Sequence, residues 1–245
     1  MAAPAPEAKP VAYTPVLTDL WRLVRAPFTP RAVFEEQADA PTFWMPWLVV
    51  TVVFAALQIL QRPFQMRVRD LVLQKLGQPI PPGGFSAVRT VIGLVGTGVT
   101  VLILACVAAG IFYVLTMVFG GQTTFKKMLT VTIFAWPIAI LQQVLTYVVL
   151  SVRGVDAIQS VWDAQVSFGA DLLLPSDMAL TPFLRLLLAG IGPLAIWQVA
   201  ITAIGLKTLG KSSWATAWTV AIIAFVVLLL GLASLGAFGM KAAGG

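Results

Sequence analysis

No histidine occurs in the chain, and cysteine occurs once, at Cys106. Ser–His–Asp and Cys–His catalysis, His-ligated zinc or haem, and disulfides are therefore unavailable. Cys106 lies in an apolar run, where a small buried hydrophobe is expected. The four aspartates of residues 151–182 (Asp156, Asp163, Asp171 and Asp177) are too widely spaced for an EF-hand or a tight carboxylate cluster. Gly210-Lys211-Ser212 lacks the upstream glycine of a P-loop. No catalytic constellation, cofactor motif or metal site emerges. The expectation is a protein without cofactor that is not an enzyme.

What chemistry is left belongs to uncharged polar groups inside apolar segments. These are Gln58, Thr97, Thr100, Gln142, Gln143, Gln198 and Thr202. A buried glutamine needs a partner, and a facing helix is the nearest source, so interhelical bonding is the expectation. The functional alternative is a polar pathway or ligand pocket around Gln142, Gln143 and Gln198. Pro137 and the Gly190/Gly192/Pro193 group are a second candidate. Helix breakers there can free carbonyls to line a site, or they can be kinks and close-packing points. Gly93, Gly96 and Gly98 form a smooth patch suited to close helix approach, without GxxxG spacing.

These residues sit in a chain of 245 residues that is 59% hydrophobic and only 11% charged. Soluble domains carry about 25% charged residues. A water-facing surface cannot be covered here, and the fold class is an all-α, polytopic transmembrane helical bundle. Five apolar spans are expected, over residues 43–60, 91–119, 128–150, 183–206 and 214–238. None of their cores holds an acidic residue. Charge-coupled transport, which usually needs ionisable groups at mid-span, is therefore disfavoured. Arg89 and Arg185 lie near span ends, where they can snorkel.

Residues 1–15 read as a flexible polar tail. Residues 16–40 read as two short helices, each opened by a Thr-Pro pair, at Thr14-Pro15 and Thr29-Pro30. The first carries Val16, Leu17, Leu20, Trp21, Leu23, Val24 and Phe28, most of them on one broad face. It is too short to span, and either lies at the headgroup level or packs on the protein's own loops. Residues 41–240 form the membrane domain.

The loops hold basic residues at 61–90 (Arg62, Arg67, Arg69, Lys75), followed by a Pro79–Gly84 turn, and at 120–127 and 207–213. Loop 151–182 is acidic. If five spans alternate, Lys9, Arg22, Arg25, Arg31, Lys126, Lys127, Lys207 and Lys211 share the N-terminal side. The other half of the 16 Lys and Arg lie opposite, so the positive-inside rule is tied. The basic residues form no stripe, and nucleic acid is not an expected partner.

Four segments, taken in order, resemble the Yip family, the Rab-GTPase-interacting five-span membrane proteins, in its bacterial form. Ala26-Pro27-Phe28-Thr29-Pro30-Arg31-Ala32-Val33-Phe34 is similar to the family's Pro-Arg-x-x-Phe segment. Gly120-Gly121-Gln122-Thr123-Thr124-Phe125-Lys126-Lys127 looks like its Gly-rich, Phe-basic loop. Phe134-Ala135-Trp136-Pro137 is similar to its aromatic-Ala-x-Pro step. Trp197 with Gly205-Leu206, a short basic loop and a final span matches its last helical pair. Asp19-Leu20-Trp21-Arg22 stands where eukaryotic members carry Asp-Leu-Tyr-Gly-Pro, which speaks against Rab binding.

The resemblance implies a cytoplasmic N-terminus, which breaks the tie, and places the chain in a bacterial inner membrane. It also implies a non-enzymatic scaffold or adaptor in membrane organisation or trafficking-like processes. Its partners would be the lipid bilayer and other membrane proteins or a second copy of the chain. Leu20, Trp21, Arg22, Arg25, Pro30, Arg31 and Phe34, with Phe125, Lys126 and Lys127, are the candidate contact surface. Pro137, Gln142, Gln143, Gly192, Pro193 and Gln198 are the candidate intramembrane positions. The rivals are a transporter or channel for a neutral or lipidic solute, and an accessory subunit of a larger membrane complex.

Overall fold

A computed structural model describes residues 15–79, 87–174 and 180–242. The N-terminal tail through residue 14, the turn at 80–84, Asp177 and the side chains of Arg89 and Lys241 lie outside the described residues. Within them all regular structure is helical. The elements are α1 (Pro15–Arg25), α2 (Pro30–Glu36), α3 (Trp44–Lys75), α4 (Ala87–Val118), α5 (Phe125–Ala135), α6 (Pro137–Arg153), α7 (Pro182–Ala189), α8 (Pro193–Leu209) and α9 (Trp214–Ala242). Short 3-10 turns occupy Val155–Ala157 and Ala170–Leu173.

Four stretches are long and apolar enough to cross a membrane: Trp44–Lys75, Val91–Val118, Phe125–Arg153 and Trp214–Met240. The pair α7 and α8 makes a fifth if taken as one broken span, bent by 61°. Helix starts follow local chemistry. Thr124 and Thr181 each cap a helix, accepting from the amides of Lys127 and Leu184. Pro30, Pro137, Pro182 and Pro193 all stand in a first turn, where the missing N–H costs nothing.

The first span does not end near Leu60. It continues as one helix to Lys75, so the basic stretch is helical rather than loop. Only Pro63 opposes the helix there, and the chain turns at Gly77, whose φ is +65°. At 1.5 Å per residue α3 is about 48 Å long, against about 30 Å of hydrocarbon. Its C-terminal part therefore projects beyond the membrane.

Helix α5 is the centre of the bundle, and Met128 through Ala135 are all buried. Its hydroxyls are satisfied within the helix: Thr130 donates to the Lys126 carbonyl at 3.0 Å and Thr132 to that of Met128 at 2.9 Å. Helices α3, α4, α8 and α2 surround it. Close approach of α4 and α9 rests on small residues. Ala105 and Ala109 are buried on one helix, and Ala217, Ala221 and Ala224 on the other. Of the three glycines expected to allow close helix approach, Gly93 and Gly96 do not. A Cβ on Gly93 or Gly96 would meet open space, and only Gly98 touches a neighbour, Thr51 of α3.

Candidate functional site

The two ends of the bundle carry different chemistry. At the near end, the α4–α5 and α8–α9 loops meet: the Gln122 amide donates to the Gly210 carbonyl at 3.0 Å. The α1–α2 hairpin docks beside them. Phe34 is fully buried and forms an edge-to-face pair with Phe134. It lies against Gly205 of α8, where a Cβ would come within 2.9 Å of its ring. Trp197 of α8 donates through Nε1 to the Pro27 carbonyl at 3.1 Å, and its ring meets Phe28. Phe34 is thus a correction to the expected contact surface. It anchors the hairpin and faces no partner.

Ion pairs brace the hairpin internally. Glu36 receives Arg22 Nε at 2.8 Å and Arg25 Nη2 at 2.7 Å, and Arg22 also reaches Asp19. Burial pushes the Glu36 carboxyl up, but the bonds and charges of Arg22 and Arg25 outweigh it and hold it below its ordinary value. Burial likewise opposes the charge of Arg22, and Glu36 and Asp19 hold it above its ordinary value. Arg22 and Arg25 are therefore structural members of the hairpin.

A buried polar knot ties the hairpin to the bundle. Thr42 Oγ1 donates to Asp19 Oδ1 at 3.0 Å, the Thr42 amide donates to Gln37 Oε1 at 2.7 Å, and the Thr42 carbonyl lies 3.4 Å from the Thr130 hydroxyl of α5. Asp19, Gln37 and Thr42 escaped the sequence reading. The one available signal was an acidic residue, Asp19, inside an amphipathic helix.

With its inner face used in this way, the hairpin turns Leu17, Leu20, Trp21, Val24 and Phe28 outward. Trp21 is 59% exposed and Phe28 75%. Leu17, Leu20, Trp21 and Val24 follow one face of α1, and Phe28 extends it from the turn past the helix end. Arg31 is exposed and pairs with Glu35, and Pro30 is partly covered. Phe125 and Lys126 are exposed at the same end of the bundle, and Lys127 is partly so.

At the far end lies a cavity of about 920 Å³. Gln61 of α3 and Gln142, Gln143 and Thr146 of α6 form one side, and Arg185, Leu186 and Ala189 of α7 the other. Residues 160, 162–167, 171 and 172 complete it, with Arg153 and Gly190. Gln61 Nε2 donates to Gln143 Oε1 at 3.1 Å. Arg185 lies over the Trp162 ring, 4.7 Å from its centroid. Burial raises the Asp163 carboxyl, but bonds from the Ser160 hydroxyl and the Gln159 and Ser160 amides, with the charge of Arg153, hold it below its ordinary value. Asp171 accepts from the Ser167 hydroxyl.

The candidate intramembrane positions therefore separate. Gln142 and Gln143 line the cavity, and Gln198 does not. At Pro137 the Ile133 carbonyl is taken by the Trp136 amide at 3.2 Å, and α5 and α6 carry on as one span. Gly192 is pressed against the Phe168 carbonyl, and the Ala170 amide donates to the Ile191 carbonyl at 2.8 Å. The break at 190–193 is thus occupied by the preceding loop. Gln58 is interhelical glue as expected, accepting from Thr97 of α4 at 2.9 Å.

A family model described as the Yip1 domain matches residues 24–235. The chain is 27% identical over 208 residues to the "Membrane protein YknW" of Bacillus subtilis (strain 168), covering 82% of this chain and 84% of that protein. No solved structure matches the chain.

Proposed function

The chain belongs to the Yip1 domain family of integral membrane proteins, and from that premise we propose that it is a non-enzymatic membrane scaffold or adaptor. In this reading the α1–α2 hairpin faces the cytoplasm and the bundle sits in a bacterial inner membrane. The observation that carries the reading is the outward stripe Leu17, Leu20, Trp21, Val24 and Phe28 on a hairpin that is itself locked down. A rigid, preorganised apolar surface loses little entropy on docking, and exposed aromatics are the usual anchors of a protein interface. Its occupant would be another membrane protein or a second copy of the chain.

A photo-crosslinking side chain in place of Trp21 tests this in living cells. The expected result is a discrete protein adduct that Leu20→Asp abolishes. Adducts to lipid alone would mean that the stripe lies on the bilayer, and the adaptor reading would fall. The cavity reaching Gln142 and Gln143 favours a second reading, a protein that handles a lipidic solute.

A further inference from the structure

The far-end cavity changes its chemistry with depth. Among the described residues, the charged groups in its lining are Arg153, Asp163, Asp171 and Arg185, and each has a local counterpart. Arg153 faces the charge of Asp163, which also accepts from Ser160 and the Gln159 amide. Asp171 accepts from Ser167, and Arg185 lies over the Trp162 ring. Two cations and two anions leave this rim without net charge. The outer wall is fixed on both sides, by the Arg67 bond to the Ile158 carbonyl and the Ala170 bond to the Ile191 carbonyl.

Deeper in, the lining is polar but uncharged: Gln61 of α3 with Gln142, Gln143 and Thr146 of α6. Gln143 stands ten residues before Arg153, about 15 Å along the helix, which is about half the hydrocarbon thickness. Gln142 and Gln143 are both exposed. Gln143 is met by Gln61, but the Gln142 side chain has no hydrogen-bond partner among the described residues. A bare carboxamide is costly in hydrocarbon, and water in the cavity removes that cost. At about 30 Å³ per water, a cavity of about 920 Å³ has room for roughly 30. An ion at the depth of the glutamines would meet no counter-charge on this wall. The cavity also stops there. Toward the near end, Ile138 and Met128 through Ala135 are buried, and none of them lines it.

We propose that this cavity is a blind aqueous vestibule, which carries water from the far end to mid-span and admits small uncharged polar solutes, but not ions, as far as Gln142 and Gln143. It stands apart from the adaptor reading, which rests on the opposite end, so each can fail without the other. It differs from the lipidic reading of the same cavity in drawing its solute from water, and the test separates the two.

The test uses single cysteines in the full chain, in a Cys106→Ala background, reconstituted in liposomes with reagent on both faces. The probes are methyl methanethiolsulfonate, which is uncharged, and its trimethylammonium and sulfonate relatives, which carry opposite charges. The uncharged probe should modify Gln142→Cys within about tenfold of its rate at Gln165→Cys, an exposed position in the outer wall. Val144 and Val148 are exposed on α6 outside the cavity, and in lipid a thiol does not ionise. Val144→Cys and Val148→Cys should therefore react at least about a hundredfold more slowly, since the thiolate is the reactive form. Both charged probes should lose at least about tenfold between Gln165→Cys and Gln142→Cys, as ions without a counter-charge. Gln142→Cys removes no side-chain hydrogen bond, and Thr146→Cys, one turn nearer the rim, carries the same measurement if that variant does not fold. A cysteine in the cavity as silent as Val144→Cys would mean that hydrocarbon fills it, which overturns the vestibule and leaves the lipidic reading standing. Charged probes that keep their full rate at Gln142→Cys overturn the exclusion of ions.

Discussion

Phe34 shows how far one side chain's role can lie from its local pattern. Within residues 30–36 it reads as a surface aromatic on a short amphipathic helix. Its real environment is Gly205, Val131 and Phe134, on helices far along the chain, and no local periodicity encodes that contact. The ion pairs of Arg22 and Arg25 are hidden from local pattern for the same reason, since their partner Glu36 lies on the returning arm of the hairpin. Trp21 and Leu20 were legible because exposure on an amphipathic face needs no partner. Phe34→Ala removes a fully buried ring facing a glycine that cannot fill the space, a loss of about 3–5 kcal/mol. Because that loss falls on the hairpin's docking, the variant should be cut by trypsin after Arg22, Arg25 or Arg31 far faster than wild type, while Leu20→Ala should be cut at the wild-type rate. Equal protection of Phe34→Ala would show that the hairpin is held without this anchor.

At the scale of elements, helix starts were readable because Thr-Pro pairs and first-turn prolines act through local backbone chemistry. Helix ends were less so. The apolar run of the first span stops near Leu60, but loss of hydropathy marks the exit from the membrane, not the end of a helix, and α3 continues to Gly77. The break between α7 and α8 was visible in Gly190, Gly192 and Pro193. What fills it was not, because Phe168 and Ala170 reach it from a loop without regular pattern. Gly192 makes that contact testable. Its φ is ordinary, so only space forbids a side chain, and a Cβ there would strike the Phe168 carbonyl. Gly192→Ala must push the loop away and should cost about 1–3 kcal/mol, read as a lowered thermal-unfolding midpoint in detergent. Pro193→Ala loses no packing of that kind and should move the midpoint little. Equal effects of the two would mean that the loop contact contributes nothing.

For the whole molecule, the span pattern was legible and its orientation was not. Bilayer thickness imposes a minimum apolar length, so composition alone exposes the spans. Orientation depends on a difference in positive charge between the two sides, and the 16 basic residues divide evenly. The structure shows why the count misleads. Arg67 lies on the projecting helix and donates to the Ile158 carbonyl at 3.1 Å, and Arg69 pairs with Asp70. These far-end cations belong to a folded helix rather than to a short free loop. Lys126, Lys127, Lys207 and Lys211 instead flank the two short connections, which are bonded to each other at the near end. Short basic loops are what the positive-inside rule weighs, so the near end should be cytoplasmic. Single cysteines decide it in a Cys106→Ala background. With a membrane-impermeant maleimide on intact cells, Asp156→Cys at the far end should label and Gln122→Cys at the near end should label only after lysis. The reverse pattern inverts the protein in its membrane and turns the hairpin away from the cytoplasm. Labelling of both from outside breaks the alternation of spans itself, because the helices from Phe125 to Arg153 then cannot cross between those two positions.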